Sequence, residues 1–229
     1  MLNVNMRKFL ESTSIVDGAD HGVSSKALLL AQGAAGKPVE AARRCYEFVR
    51  DKIRHSIDHQ MNPVTLKASD VLLHRTGSCY SKCNLLVALL RTCGIPAGFC
   101  YQRLSLDDTG TRFALHGLVA AYLPGIGWYR MDARGNLEGM DARFTPPEER
   151  LTRRPSLPGE IDLPEIWSEP LEIVVRTLRT CKTWSELRDN PPDVQILPSH
   201  LSLALTVQHT RHVDFQRIID PEEEFDLKS

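Results

Sequence analysis

Cys79, His116 and Asp132 have the types and the chain order that thiol chemistry needs. Cys79 follows Thr76-Gly77-Ser78 and stands in the first turn of an apolar helix. Unpaired backbone N–H groups and the positive end of the helix dipole favour a thiolate there over a thiol. The same N–H groups can stabilise the oxyanion that forms when sulfur attacks a carbonyl. A thiol also needs a proton acceptor, and the acceptor needs a partner to orient its ring. His116 begins one predicted strand and Asp132 ends the next, so a single hairpin can supply both. The chemistry implied is acyl transfer or hydrolysis at an amide or peptide carbonyl, through a thioester on Cys79.

Several elements must position these groups. Pro38 to Ile53 reads as an amphipathic helix, with Pro38 at a first helical position and Ala42, Cys45, Tyr46, Val49 and Ile53 on one face. Arg54 to Lys67 lacks a period and reads as loop. The nucleophile helix runs from about Cys79 to Arg91; its Leu85–Leu90 run is apolar on nearly every side, which predicts burial, and Gly94 and Pro96 supply the stop. Phe99–Leu106, Leu115–Leu123 and Trp128–Asp132 read as three strands, the last two joined by a short turn as an antiparallel hairpin. Arg143 to Asp162 reads as a long surface connection, Pro170 to Thr180 as helix, and Thr183–Glu186 as a capping box opening another. Leu201 to Val207 fits strand or helix equally. The expected class is α+β, with a core over residues 1–142 and a mainly helical extension over 143–229 packed on it as part of the same domain.

The residues also resemble a known family. Gly77-Ser-Cys79-Tyr-Ser-Lys-Cys-Asn-Leu-Leu-Val-Ala-Leu-Leu-Arg91, then Thr-Cys-Gly94-Ile-Pro-Ala97, is similar to the nucleophile helix of the transglutaminase-like superfamily. His116-Gly-Leu-Val-Ala-Ala-Tyr-Leu123 matches its histidine strand, and Gly127-Trp-Tyr-Arg-Met-Asp132 matches its third motif. The spacings of 37 and 16 residues fit as well. The resemblance covers roughly residues 38 to 135. It implies a papain-like core, a nucleophile helix on an antiparallel sheet, and a triad of Cys79, His116 and Asp132. Members of the superfamily include cross-linkers, peptidases, amidases, acyltransferases and inactive domains. Two departures lie where substrate would be oriented: Gly117-Leu118 after the histidine, and Asp132-Ala-Arg134 at the acid.

Composition narrows the alternatives. A net charge of −1 gives no electrostatic case for binding nucleic acid, and no apolar run is long enough to cross a bilayer. Six cysteines are sparse for 229 residues, which points to a reduced, cytoplasmic protein. No phosphate loop, nucleotide fingerprint or calcium loop occurs, so no cofactor is expected. A peptide, amide or other acyl compound is the expected partner; the oligomeric state stays open. Cys45, Cys83 and Cys93 fall on apolar faces and read as packing. Competing readings are a zinc site of Cys79 and Cys83 with His209 and His212, a Cys79–Cys83 redox pair, and an inactive scaffold module. Lys82 reads either as an exposed lysine or as a cation near the thiolate. His55, His59 and Gln60 each qualify as an oxyanion donor, and nothing in the sequence selects among them.

Overall fold

The computed structural model describes residues 4–107, 109–194 and 205–206. Helices α1 (Val4–Arg7), α2 (His21–Gln32), α3 (Pro38–Lys52) and α4 (Ala68–His74) precede α5 (Cys79–Thr92), the helix that begins at Cys79. Two-residue strands β1 (Arg54–His55) and β2 (Thr76–Gly77) are interposed. The chain then forms β3 (Ala97–Ser105), β4 (Phe113–Leu123) and β5 (Gly127–Met131). Short strands β6 (Arg143–Thr145), β7 (Glu148–Arg150), β8 (Ile161–Asp162) and β9 (Glu165–Ile166) follow, then α6 (Glu172–Thr180) and α7 (Trp184–Asp189). This is the expected α+β class. Of the predicted segment Leu201–Val207, only Leu205–Thr206 is described, as a strand beside β9. No described helix is long and apolar enough to cross a membrane.

α5 forms where its sequence predicts it. Ser78 is the N-cap, its Oγ accepting from the Ser81 N–H. Gly94, at φ +75°, ends the helix, and the Ile95 N–H returns to the Leu90 carbonyl. Leu85 to Leu90 are completely buried. α5 packs against α2, α3 and α4 and also against β3 and β4, which is why its apolar side chains have no solvent face. Each leucine so buried contributes on the order of 2 kcal/mol.

The antiparallel sheet has the order β5-β4-β3-β8. β4 begins at Phe113, earlier than its sequence suggested, so His116 lies inside the strand opposite Gln102 of β3. Val119 pairs with Met131. Continuing that register by one residue sets Asp132 opposite Leu118, with His116 as its diagonal neighbour on the same face. A long side chain spans that diagonal.

Two predicted loops are corrected. Within Arg54–Lys67, β1 pairs in parallel with β2. Arg143–Asp162 is not merely a surface connection: β6 and β7 pair with each other, β8 joins the sheet on β3, and Glu160 is buried, accepting from the N–H groups of Ser105, Ser156 and Leu157. The local sequence is charged and lacks periodicity, so only its long-range partners distinguish it from loop.

Candidate active site

The structure brings Cys79, His116 and Asp132 to one place. Cys79, half-buried at the first position of α5, lines a cavity of about 260 Å³ together with His116. Two contacts lock the helix start to the histidine strand. The Tyr80 hydroxyl donates to the carbonyl of Leu115, so the neighbour of the cysteine holds the neighbour of the histidine. Gly117 permits the close approach: a Cβ there would lie 3.2 Å from Tyr80 Cδ1 and 3.5 Å from Cys83 Sγ. The glycine that departs from the family pattern is thus where helix meets strand. On the other side, Ser81 Oγ donates to the Thr65 carbonyl at 2.6 Å and Asn84 Nδ2 to the Leu66 carbonyl at 2.7 Å.

His116 Nε2 lies 2.8 Å from Asp132 Oδ2, leaving Nδ1 for the sulfur. Asp132 is completely buried, where an unpaired carboxylate is costly. Its charge is met by four groups: His116, the hydroxyl and N–H of Thr152, and the N–H of Arg134 at 3.0 Å. Burial alone would raise the Asp132 pKa; His116, Thr152 and Arg134 outweigh it and hold the carboxyl well below its usual range. Burial likewise disfavours a charged His116, yet Asp132 and Cys79 push its pKa up to about 10. For Cys79, burial would raise the pKa, and the imidazoles of His116 and His55 bring it down to about 6. The electrostatics therefore favour a thiolate–imidazolium pair near neutral pH.

Three participants escaped or divided the sequence reading. Thr152 sat in a segment with no recognisable period. Lys82 is neither exposed nor a cation at the sulfur: it is completely buried, and its ammonium donates to the carbonyls of Ile53 and Arg134 at 2.7 Å each and of Arg50 at 3.3 Å. It ties the end of α3 to the segment after β5. His55, one of three candidates, is the one in the cavity beside Cys79. His59 lines a separate cavity with Lys82, and Gln60 lines neither. Among the described residues no three His, Cys, Asp or Glu side chains are grouped to hold a metal; His209 and His212 of the zinc reading lie outside the described residues. Cys45 and Cys83 are core residues, as read, while Cys93 is half-buried with its Sγ 4.0 Å from that of Cys45.

The cavity walls are mainly apolar, with Leu104, Leu106, Ala114 and Leu115 from β3, β4 and their connection, and with Met140. Three arginines reach it, each already paired: Arg134 with Asp58, Arg153 with Glu160 and Arg188 with Asp189. A compact apolar acyl group suits these walls.

Residues 28–133 match the transglutaminase-like superfamily. A candidate cysteine protease from Cytophaga hutchinsonii is 22% identical over 58% of this chain and 43% of that one, with a TM-score of 0.44. The periplasmic domain of TgpA from Pseudomonas aeruginosa is 18% identical over 56% of this chain and 46% of that one, also with a TM-score of 0.44. This chain spans less than half the length of either structure. No curated protein matches it. The matched segment runs from α2 through the helix of Cys79 and the strand of His116 to just past Asp132, so the family model and the three residues of the site fall on the same part of this chain.

Proposed function

We propose that this protein is a cysteine-dependent enzyme that cleaves a small peptide or amide, with water as the acyl acceptor. The observation that carries the reading is the His116–Asp132 bond of 2.8 Å beside a helix-start cysteine in a shared cavity. Cys79 Sγ, as thiolate, attacks the carbonyl carbon, whose oxygen takes up the negative charge near the free N–H groups of the first turn of α5. His116 gives its Nδ1 proton to the departing amine as the C–N bond breaks, leaving a thioester. Asp132 keeps the ring oriented throughout. Water then attacks the thioester carbon, His116 takes a proton from it, and the C–S bond breaks to return the electron pair to sulfur. An amine in place of water would give acyl transfer. The cavity beside Cys79 opens to solvent, so water has direct access to the thioester. Residues 1–142 are the proposed catalytic core and 143–229 an extension of the same domain; the hydroxyl of Thr152 seated on Asp132 supports their belonging together. The sparse cysteines support a reduced, cytoplasmic setting.

The test is a panel of fluorogenic peptide amides with wild type and Cys79→Ala, combined with intact mass after rapid acid quench. Turnover with a thioester adduct on Cys79, abolished in a folded Cys79→Ala variant, is expected. Undiminished turnover in that variant sinks the proposal; an inert thiol alongside a defined protein partner would favour the scaffold reading.

A further inference from the structure

Two imidazoles, those of His116 and His55, line the cavity of Cys79. His55 is 7% exposed and reaches the cavity from β1, an element separate from the hairpin that carries His116 and leads to Asp132. β1 is only two residues long, but its parallel pairing sets His55 level with Gly77, two residues ahead of the cysteine. The ladder is held by Arg54 N–H to the Arg75 carbonyl and Ser56 N–H to the Gly77 carbonyl, both at 3.0 Å. His55 has its own carboxylate: Nδ1 lies 3.0 Å from Asp58 Oδ2, an ionic approach that is not aligned as a hydrogen bond. Asp58 Oδ1 in turn accepts from Arg134 Nη2 at 2.8 Å. Arg134 also gives its backbone N–H to Asp132 at 3.0 Å. One residue thus links the two carboxylates, and Lys82 binds the carbonyls of Ile53 and Arg134 at the base of both arms.

We propose that His55, backed by Asp58, is a further catalytic residue: a second imidazole that hydrogen-bonds the Cys79 sulfur whenever it carries charge. This rests on Cys79 being the nucleophile. In the free enzyme His55 shares the thiolate with His116. In deacylation the C–S bond breaks and the electron pair returns to Sγ while His116 is occupied with the proton of water. A donor already at the sulfur then makes it a better leaving group, and His55 transfers no proton itself. The other charged or titratable groups around the sulfur are committed elsewhere. Tyr80 donates to Leu115, and Arg153, Arg188 and Arg134 are each paired with a carboxylate. Cys83 is held neutral because burial pushes its thiol up. Asp132 belongs to His116, and Lys82 is bound to carbonyls.

The experiment is the pH profile of Cys79 alkylation by iodoacetamide in the full chain, read by peptide mapping, for wild type, His55→Ala, His55→Gln, Asp58→Asn and His116→Ala. Wild type is expected to label with a midpoint well under the ordinary thiol value of about 8.5. His55→Ala should move the midpoint up by about one pH unit, a tenfold loss of thiolate at acid pH. Asp58→Asn should move it the same way by less, and His55→Gln, which keeps a donor, should recover turnover ahead of the midpoint. If His55→Ala fails to fold, His55→Gln and Asp58→Asn carry the same comparison. A midpoint that moves in His116→Ala but not in any His55 or Asp58 variant overturns the role of His55 and leaves Cys79 as nucleophile. An ordinary thiol midpoint in wild type overturns both.

Discussion

Thr152→Val tests whether the segment after β5 supports the buried carboxylate. Valine keeps the branched shape and removes one hydroxyl, which donates to Asp132 Oδ2; the backbone N–H of Thr152 still reaches the same oxygen at 3.3 Å. A hydrogen bond to a charged group contributes roughly 1.5–3 kcal/mol. Thr152 is half-buried and its N–H remains, so the expected loss lies at the lower end, about 1.5–2 kcal/mol. For a domain of this size that is a fall in Tm of about 2–4 °C for each kcal/mol. The sign of the pH dependence follows from Asp132. Its folded pKa is depressed below the unfolded value of about 3.9, so its native contacts stabilise the fold fully above that pH and fade as pH falls through the folded value. The gap between wild type and variant should be constant from pH 5 to 8 and close at lower pH. Urea unfolding at pH 7 and at successively lower pH measures it. Equal stability at pH 7, or a gap that widens in acid, would refute the reasoning.

Other predictions follow from the same contacts. Lys82→Met removes the donor shared by three carbonyls, while relief of the buried ammonium offsets part of the lost stability. Alkylation of Cys79 at pH 7 should fall at least about tenfold, and wild-type labelling would show that Lys82 positions neither arm. Gly117→Val places branched carbon where a Cβ alone meets Tyr80 at 3.2 Å, and should cost about 1–3 kcal/mol of stability with slower Cys79 labelling; an unchanged Tm would argue against the close approach. With the thiol lowered to about 6 and the imidazolium raised to about 10, kcat/KM should rise through the first value and fall through the second. A profile that climbs only above pH 8 would mean that the ion pair does not form.

The helix of Cys79, the hairpin and the order of Cys79, His116 and Asp132 are legible in the sequence because their signals are local. An N-cap serine, a completely apolar turn sequence, a stop glycine and alternating strands separated by short turns each act within a dozen residues. The family motifs fall on those same elements. His55, Thr152 and Lys82 carry no such signal. β1 has two residues and exists only through parallel pairing with a strand some twenty positions away, so it leaves no period. Thr152 reaches Asp132 from a charged stretch that reads as surface, and Lys82 looks like any helical lysine until three carbonyls from separate segments converge on it. Sequence alone singled out the three candidate groups, since their surroundings are written in neighbouring residues. Which side chains hold and tune them was decided by tertiary structure, because a buried charge is stabilised by whichever dipoles the packed chain brings to it, and those come from any distance along the sequence.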